Sequence, residues 1–169
     1  REVKEQFGDE RRTELTASSH DLSIEDLIAE EEMVVTLSNK GYIKRQPISD
    51  YRAQRRGGRG KAAAKVKDEE YIERLAISST HATMLCFSSA GKLYWKKVYE
   101  FPVGTRIARG KPVNNVLPLE EGEHITAMLP VKSYEGEQYV FMATEAGVVK
   151  KTPLEAFSRP RTAGIRAIN

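Results

Sequence analysis

The sequence predicts an all-β chain: a β-pinwheel-like, propeller-like array of four-stranded blades, here about three of them, preceded by a short helical connector. Three observations carry this prediction. From Met33 onward, short β-rich runs alternate with glycine-containing turns. Three hairpin openings superimpose, Val35–Lys44, Cys86–Tyr94 and Met142–Lys150, and their turn glycines Gly41, Gly91 and Gly147 stand 50 and 56 residues apart. A second glycine trails each hairpin, Gly60, Gly110 and Gly164, at spacings of 50 and 54. Two independent markers thus share a period near 50 residues, which with about four strands per unit is the signature of a bladed architecture.

The elements follow in order. Residues 1–32 read as a connector. Its opening segment, Arg1–Leu15, starts as a charged helix and meets Gly8, a helix stop. A second short helix is expected at Ser23–Ile28, where Ser23 and Asp26 form an [ST]-x-x-[DE] capping pattern. Residues 33–169 hold the repeats, with blades at about 33–80, 81–135 and 136–169, the last incomplete. The closing run Ile165–Asn169 reads as a strand cut short, so the chain is expected to be a fragment of a longer cytoplasmic polypeptide.

Composition narrows the function classes. No stretch approaches the ~20 apolar residues of a membrane span. The single cysteine, Cys86, lies in the apolar run Met84–Phe87 and is expected to be a buried small side chain. The net charge of +3 hides an asymmetry: residues 1–32 carry 11 acids and 4 bases, and the remainder carries 13 acids and 23 bases. Between Lys44 and Lys67 stand nine bases and one acid, Asp50. A basic region of this size favours a polyanionic partner, although such runs also serve as solvated faces.

The basic residues are placed with a pattern. The heptapeptide Gln54-Arg55-Arg56-Gly57-Gly58-Arg59-Gly60 sets three guanidinium groups on a backbone that three glycines leave open. Guanidinium is a planar, permanently charged fork that fits phosphate oxygens, and glycine lets main-chain N–H groups approach a ligand closely. Lys61 and Lys65 extend the tract. Each unit carries a basic segment: Lys44 and Arg45 before the heptapeptide; Lys96 and Lys97 before Arg106, Arg109 and Lys111; Lys150 and Lys151 before Arg159 and Arg161. If charge repeats with the fold, these side chains form a band around an axis. Strand-edge lysines that discourage edge-to-edge pairing are the competing explanation for Lys96, Lys97, Lys150 and Lys151.

The heptapeptide resembles, at all seven positions, the box that marks the C-terminal domain family of the bacterial DNA gyrase A-type subunit. The connector Gln6–Glu14 and the repeated runs Val34–Ser38, Leu85–Ser89 and Val140–Thr144 extend the resemblance to essentially the whole chain. The resemblance implies a β-pinwheel with strand exchange between blades that wraps double-stranded DNA around a basic rim. It further implies a bacterial, cytoplasmic, nucleoid-associated A2B2 assembly with the gyrase B-type subunit and the N-terminal core of the A-type one. ATP and Mg2+ would serve that holoenzyme, with no cofactor in this piece. Gln54, Arg55, Arg56, Gly57, Gly58, Arg59 and Gly60 would then be the principal DNA anchor. The remaining basic residues would be weaker stations contacting backbone, with little sequence preference.

Other classes remain open on residues alone. The topoisomerase IV A-type subunit has similar blades with a degenerate box, and a propeller-like protein-interaction platform would also account for the repeats. Catalysis in this chain finds no support in its motifs. His20, His81 and His124 are isolated from one another and from Cys86. Gly60-Lys61 is followed by Ala62, where a phosphate loop needs Ser or Thr. The acidic clusters Asp68-Glu69-Glu70 and Glu120-Glu121 read as solvated turns.

Overall fold

The computed structural model describes residues 6–8, 23–51 and 70–169. Ten strands follow in chain order: β1 (Glu32–Ser38), β2 (Tyr42–Pro47), β3 (Ile72–Ser79), β4 (Thr83–Ser88), β5 (Lys92–Lys97), β6 (Lys111–Pro112), β7 (Ile125–Val131), β8 (Tyr139–Ala143), β9 (Val149–Pro153) and β10 (Ile165–Arg166). All the strand pairings are antiparallel. The all-β expectation holds, with hairpins β1–β2, β4–β5 and β8–β9 at the predicted places.

Sheet order exposes what the linear repeat conceals. The first sheet runs β3-β1-β2-β6 and the second, in the same sense, β7-β4-β5-β10; β8 and β9 form a third, two-stranded sheet. The fourth strand of the first sheet, β6, therefore comes from the segment that follows the second hairpin. It pairs Tyr42 with Pro112 and Ile43 with Lys111. In the second sheet β10 comes from beyond the third hairpin and pairs Leu93 with Ile165 and Lys92 with Arg166. Each unit thus completes the sheet before it, the strand exchange that the resemblance implied.

Two trailing glycines make that exchange possible. Gly110 has φ +97°, and a Cβ there would lie 2.5 Å from the Ile43 carbonyl oxygen; Gly164 has φ +73°, and its Cβ would lie 2.8 Å from the Leu93 carbonyl oxygen. Only a residue without a side chain can combine a left-handed backbone with such close approach to a neighbouring strand. The same glycines that mark the period in the sequence are the points where the chain crosses from one sheet to the next.

Packing follows the crossings. β1 is flanked by β2 and β3, and its Met33–Ser38 run is buried throughout. One core cluster joins Val35, Leu37 and Ile43 of the first sheet to Met84, Cys86 and Tyr94 of the second; another joins Leu85, Leu93 and Val131 to Val140, Leu154 and Phe157 of the third unit. Leu85 and Leu93 are fully enclosed, and burying each side chain contributes roughly 1.5–3 kcal/mol. Cys86 is also fully buried, and burial pushes its thiol up to about 12, so it is a packing residue as expected.

The connector is fastened to the link between β3 and β4. Ser23 and Asp26 do form a capping box, although the element they start is a single 3-10 turn, Ile24–Leu27. Past it, Thr80 Oγ1 donates to the Ala29 carbonyl at 2.9 Å, and the Glu31 amide donates back to Thr80 Oγ1 at 3.1 Å. His81 Nε2 lies 2.7 Å from the Ile28 carbonyl oxygen. No helix among the described residues is long and apolar enough to cross a membrane.

Candidate nucleic-acid interface

The basic turns occupy equivalent places in the fold. Each hairpin is followed by a 3-10 turn, Ile48–Asp50, Val98–Glu100 or Leu154–Phe157. After the second and third of these, the segments 102–110 and 158–164 cross back to the preceding sheet and end on Gly110 and Gly164. They carry Arg106 and Arg109, and Arg159 and Arg161. The heptapeptide Gln54–Gly60, with Lys61 and Lys65, lies outside the described residues. Its place in the repeat is nevertheless fixed by counting: Gly60 follows Gly41 by 19 positions, as Gly110 follows Gly91. The second-unit turn Gly104–Gly110 is the length-matched counterpart of the heptapeptide, with Arg106 aligned to Arg56 and Arg109 to Arg59.

Several residues expected on a rim serve the sheet junctions instead. Lys44 is 1% exposed, and its Nζ donates to the carbonyls of Thr105, Arg106 and Ala108 at 3.0, 3.0 and 2.9 Å. This corrects its assignment as a surface phosphate contact. Arg45 is half-buried, with Nε donating to the Phe101 carbonyl at 2.9 Å. At the same hairpin position in the second unit, Trp95 Nε1 donates to the Phe157 carbonyl at 2.8 Å. Lys97 Nζ is held by Glu25 and by the His81 carbonyl, both at 2.9 Å, and Lys96 pairs with Glu100 at 3.2 Å. The physical reason is register. Counted from the hairpin glycine, Lys44 aligns with Tyr94 and Lys150, whereas Lys96 and Lys97 align with Gln46 and Pro47, so the hairpin lysines are not one repeated feature.

The turn arginines and the third unit stand differently. Lys111, Lys150, Lys151, Arg159 and Arg161 are exposed. Lys150 Nζ donates to the Ala167 carbonyl at 2.7 Å, and Lys151 Nζ lies 4.0 Å from the centre of the Tyr139 ring. Arg106 is half-buried, and Arg109 is exposed. The Arg109 guanidinium carbon sits 3.7 Å over the Tyr42 ring, and Nε donates to Glu70 Oε2 at 2.9 Å and Oε1 at 3.1 Å. One edge of that guanidinium is engaged, which fixes the plane in which its other nitrogens project.

Glu70 is a further residue that sequence reasoning misplaced. It is 5% exposed, not a solvated turn, and accepts from Ser38 Oγ at 3.1 Å as well as from Arg109. The Arg109 hydrogen bond holds its carboxyl below the usual range; burial opposes this and Ser38 adds to it. Glu123 is its counterpart at the second junction, 8% exposed, accepting from Tyr94 Oη at 3.0 and 3.1 Å and from the Glu120 amide at 2.8 Å. Burial pushes the Glu123 carboxyl up, but hydrogen bonds from Ser88, the Glu120 backbone and Tyr94 outweigh it. The repeat signal was present in the sequence, since Ser38 and Ser88 share the 50-residue spacing. Of the other acids, Glu120 pairs with Lys92 and Glu121 is exposed. No group of three or more His, Cys, Asp and Glu side chains suited to a metal ion occurs among the described residues.

Comparison with known proteins agrees with this architecture. The family model described as "DNA gyrase C-terminal domain, beta-propeller" matches residues 32–79, 82–132 and 138–169, one match per unit. The DNA gyrase A-type subunit of Salmonella typhimurium is 61% identical over 167 residues, 99% of this chain and 19% of that protein. Its Aeromonas salmonicida counterpart is 62% identical over 167 residues, again 99% of this chain and 18% of its own length. The chain therefore spans about a fifth of the length of the curated relatives it matches. A crystal structure of the C-terminal domain of DNA topoisomerase IV superimposes with TM-score 0.69 at 26% identity, covering 84% of this chain and 43% of that one. A DNA gyrase A C-terminal domain structure gives 0.65 at 25% identity, covering 82% and 44%. With three matched units, a strand exchanged at each junction and whole-chain identity near 60%, the chain belongs to the DNA gyrase C-terminal domain, beta-propeller, family.

Proposed function

We propose that this chain is the DNA-wrapping module of a gyrase-type topoisomerase, bending duplex DNA so that an ATP-driven, Mg2+-using A2B2 holoenzyme introduces negative supercoils. Double-stranded DNA is the direct partner. The B-type subunit, with the N-terminal core of the A-type one, supplies the strand-passage chemistry, in the bacterial cytoplasm at the nucleoid. The observation that carries this reading is the recurrence of an arginine-bearing turn at the sheet crossings, together with an intact Gln54–Gly60 heptapeptide at the equivalent place in the first unit.

The energetics support stations placed at intervals. Bending duplex through 40–90° costs on the order of 1–6 kcal/mol by elastic estimates, more than one small patch can hold against recoil. Turns repeated from sheet to sheet each retain a separate arc of backbone. Arg55, Arg56 and Arg59 grip phosphates, Gly57, Gly58 and Gly60 permit close approach, and Gln54 donates to the loop or to phosphate. Arg106, Arg109 and Lys111, then Arg159 and Arg161, continue the path, with Lys151 beside it. The fold alone does not separate gyrase from topoisomerase IV, since both superimpose; the intact heptapeptide and the identity to the gyrase A-type sequences favour gyrase.

The test is topological. In the full polypeptide assembled into its holoenzyme, replacing Arg55, Arg56 and Arg59 by Ala abolishes supercoiling while appreciable DNA binding and relaxation persist. DNA affinity of the unsubstituted protein falls with salt at a slope of about −0.9 per phosphate neutralised. Unchanged supercoiling in the triple variant, or a flat salt response, refutes the reading.

A further inference from the structure

The turn Gly104–Gly110 is wrapped around a single side chain that belongs to the neighbouring sheet. Lys44 enters from β2, its ammonium ligated by the carbonyls of Thr105, Arg106 and Ala108 at 3.0, 3.0 and 2.9 Å. A lysine ammonium has three donors, and three carbonyls of one turn meet it. Both ends of the turn grip its stem: a Cβ on Gly104 would lie 3.0 Å from Lys44 Cδ, and one on Gly110 would lie 3.2 Å from Lys44 Cβ. A buried cation of this kind requires such ligation, because an unpaired charge or an unpaired carbonyl in that position is costly.

The consequence appears on the outer side of the turn. Three carbonyls drawn inward fix three of the turn's peptide planes, while Ile107 is 67% exposed and Arg109 is exposed. Arg109 is then locked from its own side by Glu70 and Tyr42. At the second crossing the equivalent hairpin residue is Tyr94, and it is that aromatic ring, not a cation, that lies against Gly164.

Resting on the DNA-wrapping reading, we propose that Lys44 is a positioning residue: it does not touch DNA, but moulds the Gly104–Gly110 turn so that Arg106 and Arg109 are held toward the duplex. The turn's shape, and through it the second DNA station, depends on a cation supplied by the previous sheet. Lys44 thereby ties formation of the first sheet junction to presentation of the arginines.

Two measurements test this in the full polypeptide, using Lys44→Met. The first needs no DNA. Trypsin cuts after arginine unless proline follows, and Lys44→Met raises cleavage after Arg106 and Arg109 about tenfold relative to cleavage after Arg161, whose turn serves as the internal control. The second is DNA affinity as a function of salt: Lys44→Met weakens binding as much as Arg106→Ala/Arg109→Ala and lowers the salt slope by about one to two phosphates. Adding Lys44→Met to the double arginine variant weakens binding no further. Unselective or unchanged cleavage overturns the proposal whatever DNA does. An undiminished loss of affinity in the arginine-free background also overturns it, because Lys44 would then act through general stability. If Lys44→Met does not fold, Gly104→Ala crowds the same stem while keeping the charge, and the same selective cleavage is expected. Loosened cleavage beside wild-type DNA binding in Arg106→Ala/Arg109→Ala overturns the DNA assignment of this turn, and the trypsin data distinguish that failure from a failure of the moulding.

Discussion

The two described sheet junctions have the same backbone and opposite chemistry. At both, a strand from the following unit pairs with the second hairpin strand, a glycine with left-handed φ presses on that strand, and a donor four positions past the hairpin glycine reaches the carbonyl of Phe101 or Phe157. The donor is Arg45 at the first junction and Trp95 at the second. One position earlier stands Lys44 or Tyr94. The buried acid is Glu70, paired with Arg109, or Glu123, paired with Tyr94 itself. Where the first junction has Arg109 immediately before the trailing glycine, the second has Ala163. The scaffold fixes where a buried carboxylate needs a donor, and the choice of donor goes with whether an arginine stands immediately before the trailing glycine.

The largest effects are expected where the two junctions agree. Gly110→Ala and Gly164→Ala each force a side chain into a left-handed position against a carbonyl oxygen, which costs on the order of 3 kcal/mol. Urea unfolding of the two variants checks this, with Gly110→Ala the more damaging because its contact is shorter. A tolerated alanine at either position breaks the claim that these glycines are the crossing points.

The next effects separate the junctions. Lys44→Met leaves three turn carbonyls without their donor, and Tyr94→Phe removes one hydroxyl from Glu123. Losses of about 2–3 and about 1–2 kcal/mol follow, since hydrogen bonds to charged groups lie in the upper range. Thermal melts of the two variants rank them. Adding Ala163→Arg to Tyr94→Phe transplants the first junction's solution into the second, and partial recovery of stability sharpens the comparison. A smaller effect, about 1 kcal/mol, is expected when Trp95→Phe removes the indole N–H from the Phe157 carbonyl.

The smallest effect is a pH dependence that identifies Glu70. Its folded-state pKa lies below its ordinary value, so its stabilising contribution is complete above the unfolded carboxylate pKa of about 4.3 and is lost as pH falls through the folded value. Stability measured below about pH 4.5 therefore declines more steeply in the unsubstituted chain than in Glu70→Gln. Parallel curves for the two proteins would remove the Arg109–Glu70 pair from the account.

Much of this molecule is legible in its residues alone. The hairpins are readable because their apolar runs end on turn glycines at a regular spacing, and the burial of Cys86 follows from its apolar neighbours. The roles of Lys44, Arg45 and Glu70 are not legible. Charge in a sequence marks a residue as polar without saying whether water or a carbonyl satisfies it, and each of these residues is satisfied by a partner from another unit. The partners Thr105, Phe101 and Arg109 are roughly forty to sixty positions away.

The sequence by itself determined the repeat, the strand pattern within each hairpin and the location of the basic turns, because these depend on local period and on glycine's freedom at a turn. Only the tertiary structure decided which cations face solvent and which are consumed in joining sheets. The exchange of β6 and β10 brings distant segments into contact at the junctions, and a buried ammonium or carboxylate must find its partner there or remain at high cost.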